Sequence, residues 1–231
     1  MNWKITALAM ALLILSLSAL HAQNDPLLKI GPEAVWQGDE KKLMEAVNDE
    51  CRDQEPGMIG ECLYDVLEEN EASPEVLAFV RRIDNDGYLS GYRQAGPVGI
   101  AYVTYPFRAN ENHGYLLVNG DPPAIDVDDL SLVDREILER DPTYGKLKRR
   151  FPNIMLWGGN RHEKEVVQEE ALPEGGVRFV FIYRFLKGCR ACQVLGNARV
   201  AFNFDKNGTF KGTKLLRTKS LVKFERKSPR R

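Results

Sequence analysis

The first 22 residues decide the compartment in which the rest of this chain must fold. Lys4 supplies a short positive start, and Ile5 to Leu20 is an apolar run interrupted only by Thr6, Ser16 and Ser18. Ala19-Leu20-His21-Ala22 offers small residues ahead of the polar, turn-prone Gln23-Asn24-Asp25-Pro26. This is the three-part layout of a secretory signal peptide, residues 1–22, with cleavage after Ala22. The other reading is an uncleaved anchor, but the run falls short of the roughly 20 apolar residues that a spanning helix needs. No Cys stands near the cleavage site, so a lipid anchor there is not expected. The expected location is periplasmic or secreted, where the environment permits disulfides.

Taking residues 1–22 from the 231 leaves 209, enough for one large domain or two small ones with an adequate core. The best later candidate for a membrane span, Val177 to Leu186, is ten residues long and holds two Arg. All four Cys, at 51, 62, 189 and 192, lie in the mature chain. An even count in an exported protein points to disulfides, and four Cys allow about three pairings. The economical one joins Cys51 to Cys62 and Cys189 to Cys192.

A formal net charge of −1 hides a strong asymmetry. Between Glu33 and Ser73, 13 acids stand against Lys41, Lys42 and Arg52, a local charge of −10. Between Arg217 and Arg231, seven Lys or Arg stand against Glu225, a local charge of +6. The acidic segment reads as the solvated face of amphipathic helices. The basic tail, 217–231, ends as a frayed terminus or makes weak contact with an anionic surface. Nucleic acid is not an expected partner in that compartment.

Periodicity predicts an α+β fold: N-terminal helices and a β-hairpin in residues 23–126, then a helix and an antiparallel β-meander in residues 127–216. Leu43, Met44 and Val47 give the first helix its apolar side, and Pro56-Gly57 ends that pattern. Ile59, Cys62, Leu63, Val66 and Leu67 define a second helix. Ser73-Pro74-Glu75 opens a third, with Ser as N-cap and Pro at the first helical position. Val98 to Tyr105 and Tyr115 to Val118 form the hairpin around Asn110-Glu111-Asn112-His113-Gly114. Helical zones follow at Asp128–Arg140 and from Asp141-Pro142 to Arg150. Strands are predicted at 154–157, 162–167, 177–186, 194–204 and 209–216. Two α+β subdomains joined near residues 126–129 and one mixed domain fit this order equally well.

Cys189-Arg-Ala-Cys192 is the sharpest motif. A redox CxxC sits at a helix N-terminus, where the helix dipole lowers the first thiol's pKa. Here the motif lies between two predicted strands, which favours a structural disulfide over a redox pair or a thiol–metal site. A zinc site needs four ligands, and the mature chain offers only His113 and His162 beside the Cys. Asn203-Phe-Asp205-Lys-Asn207-Gly208 matches the first half of a calcium loop, but Lys214 stands where a bidentate Glu is required. A tight Asn-Gly turn explains the same residues. Gly158-Gly159-Asn160-Arg161-His162 lacks the following helix and Lys-Ser/Thr of a phosphate loop. No Ser–His–Asp or Cys–His arrangement can be assembled from two His.

The most specialised polar cluster is expected at one end of the hairpin. Arg108, Asn110, Asn112, His113 and Asn119 would gather there, framed by Tyr102, Tyr105 and Phe107. That mixture suits a small polar ligand or a partner's backbone, and a well-capped turn is the plainer alternative. Tyr105-Pro-Phe-Arg-Ala-Asn-Glu-Asn112, Leu117-Val-Asn-Gly-Asp-Pro-Pro123, and Cys189-Arg-Ala-Cys192 with Ala201-Phe-Asn-Phe-Asp205-Lys-Asn-Gly208 resemble segments of uncharacterised exported bacterial proteins. The resemblance spans most of the mature chain and implies a cell-envelope location. It brings no activity, cofactor or catalytic residue. The expected function is therefore non-enzymatic binding of an envelope protein or small polar ligand, by a disulfide-stabilised protein without cofactor. A thiol–disulfide or thiol–metal protein built on the CxxC pair is the rival.

Overall fold

A computed structural model describes residues 29–108, 112–158 and 167–224. The leader and its cleavage site, Asn110, His162 with the strand expected around it, and the chain end from residue 225 lie outside these residues.

Three helices open the fold, each with a legible start or stop. Asp39 caps α1 (Glu40–Cys51) by accepting from the N–H groups of Lys41 and Lys42 at 3.0 and 3.2 Å. The α2 helix (Ile59–Glu69) buries Leu63, Val66 and Leu67. At α3 (Pro74–Arg82), the Ser73 hydroxyl accepts from the N–H of Val76 at 3.2 Å, and Pro74 needs no partner at the first helical position. The Cys51–Cys62 disulfide joins α1 to α2. Leu43, Val47, Cys51, Leu63, Val66, Leu67 and Val80 form one apolar cluster with Tyr88 of the following strand.

The hairpin is part of a larger sheet. Strands β1 (Tyr88–Ala95), β2 (Val98–Thr104), β3 (His113–Val118) and β4 (Ala124–Asp126) form an antiparallel meander, sheet 1. The β1 sequence Tyr-Leu-Ser-Gly-Tyr-Arg-Gln-Ala lacks clean alternation because the register shifts between Leu89 and Gly91. Sequence periodicity alone misses β1 and β4 for that reason and for the shortness of β4.

A short 3-10 turn at Leu130–Leu132, α4 (Arg135–Arg140) and α5 (Pro142–Arg150) then lead to sheet 2. The single helical zone expected over Asp128–Arg140 is split because Asp134 caps its own helix, accepting from the Ile137 N–H at 3.1 Å. Sheet 2 is antiparallel, in the order β5 (Ile154–Trp157), β7 (Val177–Lys187), β8 (Val194–Phe204), β9 (Phe210–Ser220), and β6 (Gln168–Ala171) also pairs with β7. β5 and β6 share one edge of β7, opposite Arg184–Lys187 and Val177–Val180 respectively. β9 runs to Ser220, so the basic chain end begins as sheet.

The two sheets pack face to face. Val98, Ile100, Tyr115 and Leu117 of sheet 1 share one core with Phe179, Phe181, Tyr183, Val200 and Phe202 of sheet 2. Tyr115 meets Phe181 with ring centroids 5.6 Å apart. The Tyr183 hydroxyl donates to the carbonyl of Val127, and Asp121 exchanges backbone hydrogen bonds with Gly208 and Phe210 at 2.9 and 2.8 Å. A single core therefore spans the α+β units that the chain order suggests. The opposite face of sheet 1 packs Leu89, Val103, Leu116 and Val118 on Phe79 of α3 and on Ile30 and Ala34. The layers run helices, sheet 1, sheet 2.

Both disulfides close short loops, with sequence separations of 11 and 3. Constraint of the unfolded chain grows with loop length, so Cys51→Ser/Cys62→Ser is expected to cost about 2–3 kcal/mol, and Cys189→Ser/Cys192→Ser less. Urea unfolding midpoints of the two double variants check that order.

Candidate functional site

The residues that the sequence groups together lie at two places. β2 and β3 pair from Gly99↔Val118 to Thr104↔His113. Arg108, Asn112 and His113 therefore sit at one end of β3, and Asn119 at the other. Asn110 lies outside the described residues.

At the turn end, the polar groups are engaged by their own neighbours. The Arg108 guanidinium stacks 3.4 Å from the centroid of the Tyr105 ring and meets Asp86 at 3.4 Å. Asn112 gives its carbonyl to the N–H of Tyr105 at 2.6 Å, and His113 Nδ1 lies 3.2 Å from the Thr104 hydroxyl. Tyr105 is buried, and its phenol is pushed up to about 12, first by burial and then by Asp126, Asp128 and Asp86, against the opposing pull of Arg108. The arrangement is that of a capped turn held over a buried Tyr.

Asn119 is a clamp between distant segments. Its amide oxygen accepts from the Ile30 N–H at 2.8 Å, and its amide nitrogen donates to the Ile30 carbonyl at 2.7 Å and to the Tyr92 hydroxyl at 3.1 Å. The side chain thus pairs with Ile30 as a neighbouring strand would. Its φ of 67° is a conformation that Asn tolerates better than most residues.

Both Cys pairs are disulfide-bonded, so no free thiol remains. Cys189–Cys192 closes the β7–β8 turn, with the Cys192 N–H donating to the Cys189 carbonyl at 3.1 Å. Arg190 stacks 3.7 Å above the Trp157 ring. The partial calcium loop is a strand turn. Asp205 accepts from the N–H groups of Asn207 and Thr209 at 2.9 and 3.0 Å and pairs with Lys211 at 2.9 Å. The Lys211 ammonium and those N–H groups hold the Asp205 carboxyl at about 2, committed within its own turn.

The outward face of sheet 2 is the surface that sequence reasoning missed. Cross-strand register places Arg178 beside Asn203, Ile182 beside Arg199, and Arg184 beside Asn197. It continues with Lys214 beside Ala201, Arg217 beside Arg199, and Lys219 beside Asn197. Residues paired across strands share a face. Six cations therefore lie on one side of the sheet, the side away from sheet 1. Among the described residues of the outward positions, Glu170, 3.5 Å from Arg178, is the lone carboxylate. Arg199 donates to the neutral amide of Gln168. Burial lowers the pKa of Arg184 from its ordinary value.

No family model, curated protein or solved structure matches this chain.

The sequence signal for this face was present as cations at even spacing in strands, such as Arg178 and Arg184 in β7 and Arg217 and Lys219 in β9. Assembling it required the registers, including the shift between Arg199 and Val200 that swings Leu216 out of the alternation. Among the described residues, no group of three His, Cys, Asp or Glu is arranged to hold a metal ion.

Two outcomes follow from this geometry. Asn119→Ala is expected to lose about 2–3 kcal/mol, because it leaves the Ile30 amide groups without their partner. Asn119→Gly, which suits the positive φ, recovers only about 1 kcal/mol of that, as thermal unfolding will show. The second outcome concerns alkaline pH. Tyr88 and Tyr183, like Tyr105, are held above the ordinary range by burial first. The fold favours the neutral phenols, so their contribution is full below the ordinary value of about 10 and is lost as pH rises from there through 12. The tyrosinate absorbance of these residues should emerge together with unfolding.

Proposed function

We propose that this chain is an exported, non-enzymatic binding protein of the bacterial envelope, stapled by two disulfides, that engages a negatively charged partner through the outward face of sheet 2. One observation carries the reading: Arg199 stands directly opposite Arg217, flanked by Lys214, Lys219, Arg178 and Arg184, with one carboxylate at the outward positions among the described residues. Like charges placed directly across a strand pair destabilise a sheet. An anion seated between them turns that cost into binding. The net charge of −1 means that the cationic face reflects segregation of charge and not a basic composition.

The turn around Arg108 supports the reading less well, because Tyr105 and Asp86 already occupy its guanidinium. A thiol–disulfide function for Cys189 and Cys192 has less support still. The pair closes a strand turn, and among the described residues no helix N-terminus is aimed at it to stabilise a thiolate.

Retention on a heparin resin tests the proposal. Lys214→Gln/Arg217→Gln/Lys219→Gln is expected to elute at clearly lower salt than the parent. Lys41→Gln/Lys42→Gln/Arg52→Gln, which removes the same charge from the helical layer, is expected to elute with the parent. Equal shifts in the two variants would mean that net charge alone governs retention, and the proposed surface would fall.

A further inference from the structure

We infer that the outward face of sheet 2, with residues 221–224 that follow β9, docks the protein on a bilayer containing anionic phospholipid. The inference rests on the anionic-partner reading above and names its partner.

The cations are spread over a sheet face. They run across three neighbouring strands, from Arg178 and Arg184 on β7 through Arg199 on β8 to Lys214, Arg217 and Lys219 on β9. The side chains of Lys214, Arg217 and Lys219 are exposed, and among the described residues these side chains make no hydrogen bond or ion pair. Such a spread matches many headgroups on a plane better than it matches one compact ligand.

Exposed apolar side chains accompany these cations. Leu216, Leu221 and Phe224 are 36%, 54% and 39% exposed, interleaved with Arg217, Lys219 and Lys223. A soluble polyanion has no use for such groups. A membrane interface takes both, the cations at the phosphates and the apolar side chains at the acyl boundary.

Charge polarity would orient the molecule. The acidic segment from Glu33 to Ser73, with its local charge of −10, lies in the helical layer beyond sheet 1. The cationic face lies beyond sheet 2, on the other side of the sandwich. An anionic plane attracts one side and repels the other, so the cationic face turns inward during approach. A near-neutral total charge does not oppose that approach.

The test is co-sedimentation of the full chain with phosphatidylcholine vesicles, either neutral or carrying about 30% phosphatidylglycerol, at about 0.1 M salt. Neutral vesicles set the baseline contributed by the apolar segment Ile5–Leu20. Binding to the anionic vesicles is expected to be at least about tenfold stronger, and Lys214→Gln/Arg217→Gln/Lys219→Gln is expected to lose about that factor. Leu216→Ser/Leu221→Ser/Phe224→Ser is expected to weaken vesicle binding severalfold while eluting from the heparin resin with the parent. Leu221→Ser alone, beyond the last strand, serves if the triple variant does not fold.

Binding to anionic vesicles no stronger than to neutral ones, with resin retention intact, would make the partner a soluble polyanion. That result overturns the inference and leaves the anionic-partner reading standing. Absence of both vesicle and resin binding overturns both. Salt-sensitive oligomers that replace vesicle binding and vanish in the lysine–arginine variant would assign the face to the acidic helices of a second copy, which also overturns it.

Discussion

Tyr115 and Leu117 point to one side of β3, Leu116 and Val118 to the other, and all four are buried. A strand that reads as a continuous apolar run has to be covered on both faces. Here the helical layer covers one face through Phe79, and sheet 2 covers the other through Phe181. Asn119 fixes the end of that strand by pairing its amide with the backbone of Ile30. Sheet 1 thus becomes the middle layer, and among the described residues sheet 2 has an apolar layer on one side only. Its other side carries the cations.

How much of this was legible depends on the range of the interaction that decides each element. The helix starts at Asp39 and Ser73 are settled within three residues by side-chain caps, and sequence reasoning places those helices well. The long strands β7 and β8 are equally clear, because Phe and Val are dense in them. β1 was not legible, since its bulge breaks the alternation and its pairing with β2 supplies what its sequence lacks. The role of Asn119 was not legible either. Its partner lies 89 positions away, and only the packed fold brings the two together. Grouping Asn119 with Arg108 and His113 treats a turn as a point, whereas the full length of β3 separates them.

The cationic face has a plainer explanation in part. β9 is an edge strand, and exposed edges are often protected from pairing with other chains by Lys and by bulges. Lys211, Lys214 and Lys219, with the shifts near Val200 and Phe204, fit that role. Arg178, Arg184 and Arg199 do not, because they lie on β7 and β8, which are paired on both sides. Edge protection also gives no reason to set Arg199 opposite Arg217, or to leave Leu221 and Phe224 exposed in the segment after β9. The inner strands carry the case for binding.

The disulfides fall where like charges gather. Cys51–Cys62 ties α1 to α2 inside the acidic layer, where carboxylates outnumber cations and repel one another across adjacent helices. Cys189–Cys192 ties the β7–β8 turn close to Trp157, where Arg190 stacks on the indole ring. Burial of apolar surface holds the centre of the sandwich and is not weakened by charge screening. The charged layers on either side lack that reserve, and a covalent link opposes repulsion at every ionic strength. The two disulfides therefore let opposite charges be sorted to opposite sides of a small fold without loosening either side.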